Sequence, residues 1–114
     1  MSDSDWKIFT QAELELAEES RANGNEGRAR VCARRAAGHV AGEYLKRKGI
    51  RINTESALER LRYLETSPEL SPGEVEIIHH FLVHTTPEHD LPINADLIAD
   101  VHLLANKLLD ESMA

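Results

Sequence analysis

Residues 25–49 read NEGRARVCARRAAGHVAGEYLKRKG, and the spacing of their small side chains decides the fold. Ala29, Ala33, Ala37 and Ala41 recur at every fourth position, beside Cys32, Ala36, Val40 and Tyr44. At helical periodicity these positions share one broad face. Gly38 and Gly42 form a small-x-x-x-small pair on another face. Side chains this small let neighbouring backbones approach closely, so the segment predicts a helix in the middle of a bundle. Both ends are marked. Asn25 can cap the first turn, and Lys46, Arg47 and Lys48 precede Gly49, which suits a left-handed cap and the helix dipole.

Working outward, proline and glycine divide the rest of the chain into four more helical segments, and no strand-like alternation survives between them. The first helix runs from near Ser4 to Ala22, with Trp6, Phe9, Ala12 and Leu16 as its inward stripe and Gly24 as its stop. Thr10 and Glu13 have capping-box spacing, so a restart at Thr10 is expected. A third helix spans about Thr54 to Thr66, capped by Asn53 or Thr54, with Ala57, Leu58, Leu61 and Leu64 inward. The fourth opens with Ser71, Pro72 and Glu74 between the staple residues Leu70 and Val75, and stops before Pro87. The fifth begins at Asn94 with Ile93 and Ile98 as a staple, and Leu97, Val101, Leu104, Ala105 and Leu108 face inward. Residues 85–93 form the longest irregular stretch. Short connections favour an all-α, up-and-down bundle of four to five helices around a central Ala/Gly-rich helix. One domain over residues 1–114, fraying at 1–4 and 111–114, is the expected organisation.

Composition narrows the function. The 114 residues carry a formal charge of −7, which opposes general affinity for polyanions or anionic membranes. The charge is segregated, however. Arg28, Arg30, Arg34, Arg35, Lys46, Arg47, Lys48 and Arg51 stand against Glu43 alone, so residues 28–51 carry +7 and the rest −14. The start of the chain is too acidic for a signal peptide, and no apolar run is long enough for a membrane span. The single cysteine, Cys32, sits among alanines and is expected to pack as a small apolar residue in a reducing compartment, hence a cytoplasmic location. Aromatic residues make up 4% of the chain, leaving few platforms for stacking bases.

Trp6, Ala12 to Ala17, Gly24, Ala29, Arg34-Arg35-Ala36-Ala37-Gly38-His39-Val40-Ala41 and Tyr44-Leu45 through Gly49-Ile50 resemble the first helical hairpin of HEPN-domain proteins. The resemblance covers residues 6–50 and continues beyond them only as a matching order of helices. It implies a bundle of four or five helices that is often a homodimer. It also implies a toxin-type RNase or nucleotide-associated role, often beside a small nucleotidyltransferase in a toxin–antitoxin pair. Catalytic members carry an arginine followed four to six residues later by histidine, near the start of the last long helix. This chain has no arginine after Arg62, so that position is empty. Arg34 and His39 have the spacing, but on the second helix and about 140° apart around it, so they converge only with help from a dimer partner. The expectation is therefore a HEPN-like interaction module without the RNase centre; the alternative is an RNase using Arg34 and His39 at a dimer interface.

Two further sets of residues offer chemistry. Arg30 and Arg35, within the basic segment, could bind phosphate through paired N–H groups. Against that, the acidic first helix could neutralise the segment, within a subunit or across a dimer, and this pairing is the favoured expectation, with nucleic acid not favoured. Glu76, His80 and His84 fall at i, i+4 and i+8 along one stripe, a spacing that suits zinc ligands. Glu76 and His79 also make one Glu-x-x-His, but a di-iron bundle needs two. The incomplete ligand set favours an ordinary polar edge, so no metal or cofactor is expected.

Overall fold

The structure is a computed structural model that describes residues 5–83 and 95–113. They form five helices and no strand: α1 (Asp5–Ala22), α2 (Glu26–Arg47), α3 (Ala57–Glu65), α4 (Pro72–Leu82) and α5 (Leu97–Leu109). The all-α bundle around a central small-residue helix is as expected. The sharp stops have their anticipated chemistry. Gly24 and Gly49 take positive φ (79° and 71°), and Asn25 N–H and Ile50 N–H reach back to the carbonyls of Ser20 and Leu45. Asn25 caps α2 through Arg28 N–H, and Ser71 and Glu74 close a reciprocal capping box on α4.

Other boundaries differ from expectation. Thr10 does not restart α1; its hydroxyl donates to the Trp6 carbonyl at 2.6 Å inside one continuous helix. Helix α3 starts later, with Ser56 as N-cap rather than Asn53 or Thr54, because Thr54 turns its side chain to Ser56 N–H instead. Helix α5 is capped by Asp96, whose carboxylate accepts from Ile98 and Ala99 N–H. The expected start at Asn94, the Ile93 staple partner and the 85–93 loop lie outside the described residues. At the end of the described chain, Met113 is buried and Glu111 pairs with Lys7 of α1 at 2.8 Å.

Helix α2 packs on α1, α3 and α5, while α4 closes the far side against α3 and α5. Ala29, Ala33, Ala36, Ala37, Val40 and Ala41 are all completely buried, so the small stripe is the seam on which the bundle closes. Gly38 belongs to a second seam. A Cβ built there would stand 2.8 Å from the Cα of Ala57, so α3 crosses α2 against bare backbone. The apolar cluster draws on every helix, including Trp6 and Leu14 from α1, Leu61 and Leu64 from α3, Ile78 and Phe81 from α4, and Leu104 from α5.

The inward face of α1 is not the one its apolar residues suggest. Trp6, Thr10, Leu14, Ala17 and Ser20 are buried, whereas Phe9, Ala12 and Leu16 are exposed. The buried hydroxyls tolerate this because both satisfy themselves locally, Thr10 on Trp6 and Ser20 on Leu16.

Candidate functional site

Arg34 and His39 are not brought together. The Arg34 Nε–H donates to the Phe81 carbonyl at 2.8 Å, an orphan acceptor in the last turn of α4. Burial, and secondarily the nearby charge of Arg30, holds its pKa below the ordinary arginine value. His39 faces the other way, its ring 5.5 Å from that of Phe9 on α1. Burial, then the charge of Arg60, holds the imidazole below its ordinary pKa, with Glu13 opposing. The cation beside His39 is thus Arg60 of α3, not Arg34. Arg30 lies between Glu26 and Arg34, and Arg35 is exposed.

Within one chain, and leaving Arg30 aside, no described carboxylate of α1 forms an ion pair with a basic residue of α2. Arg47 pairs with Glu43 of its own helix at 2.8 Å. The link from α1 to the start of α2 runs through Arg21, which binds Glu26 and Asp96. Among the described residues, Arg28, Arg34, Arg35, Lys46, Lys48, Arg51 and Arg60 take part in no ion pair. Three of them converge. Lys46, Arg51 and Arg60 line a cleft of about 720 Å³ formed by the end of α2, the 48–56 connection and α3. Leu45, Ile50 and Ile52 give it apolar walls, Asn53 adds an amide, and no carboxylate lines it.

Arg60 is the organising residue. Its Nη1 donates to the Gly38 carbonyl and its Nε to the Thr54 carbonyl, both at 3.3 Å, which fixes the guanidinium across the glycines of α2. The end of α2 contributes roughly −0.5 charge by its dipole. Three full cations outweigh that, so the cleft suits an anionic group, and two of the three offer the bidentate fork that phosphate accepts. A second recess of about 470 Å³ shares Gly42, Lys46 and Arg60 and continues to Phe9 and His39 beside Asp5, Glu43 and Glu55. Arg51 was visible in the sequence only as one of many basic residues. Nothing in the sequence pointed to Arg60, except that the Gly38–Gly42 pair announced a close neighbour.

Of the candidate metal set Glu76, His80 and His84, two members are described, and each faces elsewhere. His80 Nδ1 lies 2.9 Å from the buried Asp100 carboxylate of α5, His79 pairs with Glu65 of α3, and Glu76 is exposed. His84 lies outside the described residues, and no group of three metal-ligating side chains occurs within them. Cys32 is buried and free. No helix among the described residues is long and apolar enough to cross a membrane.

Compared with known families, curated proteins and solved structures, this chain matches none.

Proposed function

We propose that the protein is a non-catalytic, HEPN-like helical module that binds a phosphate-bearing ligand, a nucleotide or single-stranded RNA, in the basic cleft. One observation carries this reading: Lys46, Arg51 and Arg60 converge on one cleft without a carboxylate among its lining residues. The remaining acidity of the chain then limits long-range attraction, so recognition depends on the cleft rather than on net charge. The commitment of the Arg34 Nε–H to a helix end weighs against the RNase alternative. A small nucleotidyltransferase-like protein is the first protein partner to test on this reading.

Fluorescence anisotropy with a labelled single-stranded RNA, competed by ATP, tests it. Binding should weaken as salt rises, because each phosphate contact releases counterions. Arg51→Ala with Arg60→Ala should abolish it, while Arg28→Ala with Arg35→Ala should leave it unchanged. Equal binding by both double variants would sink the cleft as the site. RNA cleavage lost on changing Arg34 or His39 would favour the RNase instead.

A further inference from the structure

The recess beside Phe9 and His39 bears on what a phosphate-bearing ligand carries at its other end. It shares Gly42, Lys46 and Arg60 with the basic cleft, so one molecule can occupy both. Its volume of about 470 Å³ lies within the roughly 300–1,000 Å³ of small-molecule sites. Beyond the shared cations, aromatic rings and carboxylates line it. Phe9 supplies a flat surface. It is 49% exposed, and its ring stands 5.5 Å from that of His39, with the planes inclined at 33°. Burial and the charge of Arg60 hold His39 below its ordinary pKa of 6.5, so both rings are uncharged at neutral pH. An open aromatic face beside a phosphate site suits the stacking of a nucleobase.

The carboxylates of the recess are Asp5, Glu43 and Glu55, and two of them are engaged elsewhere. Glu43 pairs with Arg47 at 2.8 Å, and Asp5 sits in the first turn of α1, where negative charge complements the helix dipole. Glu55 is exposed and, among the described residues, in no ion pair. It belongs to the connection that also carries Arg51, and the carbonyl of its neighbour Thr54 holds Arg60. One short segment thus brings a carboxylate to the recess, contributes one cation to the cleft and anchors another. Glu13 Oε2, buried without a hydrogen-bond partner among the described residues, adds to the surplus of acceptors around His39.

An ionised carboxylate only accepts hydrogen bonds. Guanine has two adjacent donors, N1–H and the N2 amino group, that can meet both oxygens of one carboxylate. Adenine and cytosine set a donor beside an acceptor nitrogen, which the carboxylate repels. Uracil has a single N–H between two carbonyls. We infer that the recess reads a guanine base, with Phe9 and His39 as its stacking surface and Glu55 as the acceptor of N1–H and N2–H. This rests on the phosphate reading of the cleft and adds to it the identity of the base.

Isothermal titration calorimetry of the whole chain with GTP, inosine triphosphate, ATP and CTP tests it. GTP should bind about tenfold or more tightly than ATP or CTP, the discrimination that one bidentate base contact gives. Inosine triphosphate, which lacks the N2 amino group, should fall between. Glu55→Gln should bring GTP down to the affinity of ATP and leave ATP unchanged. Phe9→Ala should weaken GTP about tenfold, the order of a lost stacking contact, with helical circular dichroism unchanged. Equal affinity across the nucleotides, still lost in Arg51→Ala with Arg60→Ala, would overturn the base assignment and leave the cleft standing. GTP binding that survives that double variant would overturn both. A GTP preference indifferent to Glu55→Gln, or no binding of any nucleotide, would overturn the inference.

Discussion

The guanidinium of Arg60 fills the space that a side chain at position 42 would need: a Cβ built on Gly42 stands 2.7 Å from Arg60 Nη1. One glycine of α2 therefore seats a cation of α3, and that cation joins the two recesses of the candidate site. The neighbouring Gly38 serves a different end, because its missing side chain is replaced by backbone of α3.

The two glycines should accordingly respond differently to alanine. At Gly42 the clash is with the far end of a flexible side chain, and alanine gains up to about 1 kcal/mol of helix propensity. Gly42→Ala should melt close to wild type, the propensity gain offsetting the Arg60 hydrogen bonds lost to Gly38 and Thr54, but should bind the RNA probe several-fold more weakly, as Arg60 is displaced. At Gly38 the Ala57 backbone cannot step aside, and overpacking costs about 1–3 kcal/mol or more. Gly38→Ala should lower the melting temperature, an outcome that thermal denaturation reads directly.

Arg34 should prove structural. Its hydrogen bond to the Phe81 carbonyl ties α2 to the end of α4, and bonds of this charge-assisted type contribute roughly 1–3 kcal/mol. Arg34→Ala should lose about that much in urea denaturation while retaining RNA affinity. Loss of binding with full stability would contradict the structural role.

His39 should make the fold sensitive to acid. Its folded-state pKa is lowered, chiefly by burial and then by Arg60, from an ordinary value of 6.5. Below that value the unfolded chain takes up the proton more readily than the folded one, so unfolding is favoured as pH falls. The contribution is fully present above pH 6.5 and is lost as pH drops through the folded-state value. Stability measured against pH should therefore decline less steeply on the acid side in His39→Gln.

The His80–Asp100 contact should matter more for stability than for ligand binding. Burial raises the Asp100 pKa, and the hydrogen bond with His80 opposes that rise. His80→Ala leaves the carboxylate buried without this partner, at a cost of about 1–3 kcal/mol at neutral pH. Chemical denaturation should show that loss, and the RNA probe should bind the variant as it does the wild type.

What was legible in the sequence was local. The alanine spacing of α2, the Gly24 and Gly49 stops and the Ser71-Pro72-Glu74 start each act within a turn or two of helix, so a linear reading finds them. Helix α1 was the exception. Its apolar residues pointed to Phe9, Ala12 and Leu16 as the buried stripe, yet Thr10 and Ser20 went inside because a hydroxyl can satisfy itself on the preceding turn. Composition also showed that positive charge gathers between residues 28 and 51.

The sequence by itself thus determined an all-α bundle, its central small-faced helix and the segregation of charge. Only the tertiary structure decided which cations share a cleft, which face of α1 stays open, and that His39 meets Arg60 rather than Arg34. Those outcomes depend on how α3 crosses α2 at Gly38 and Gly42. Residues eighteen or more positions apart are brought together there by close packing, which no short-range spacing rule encodes.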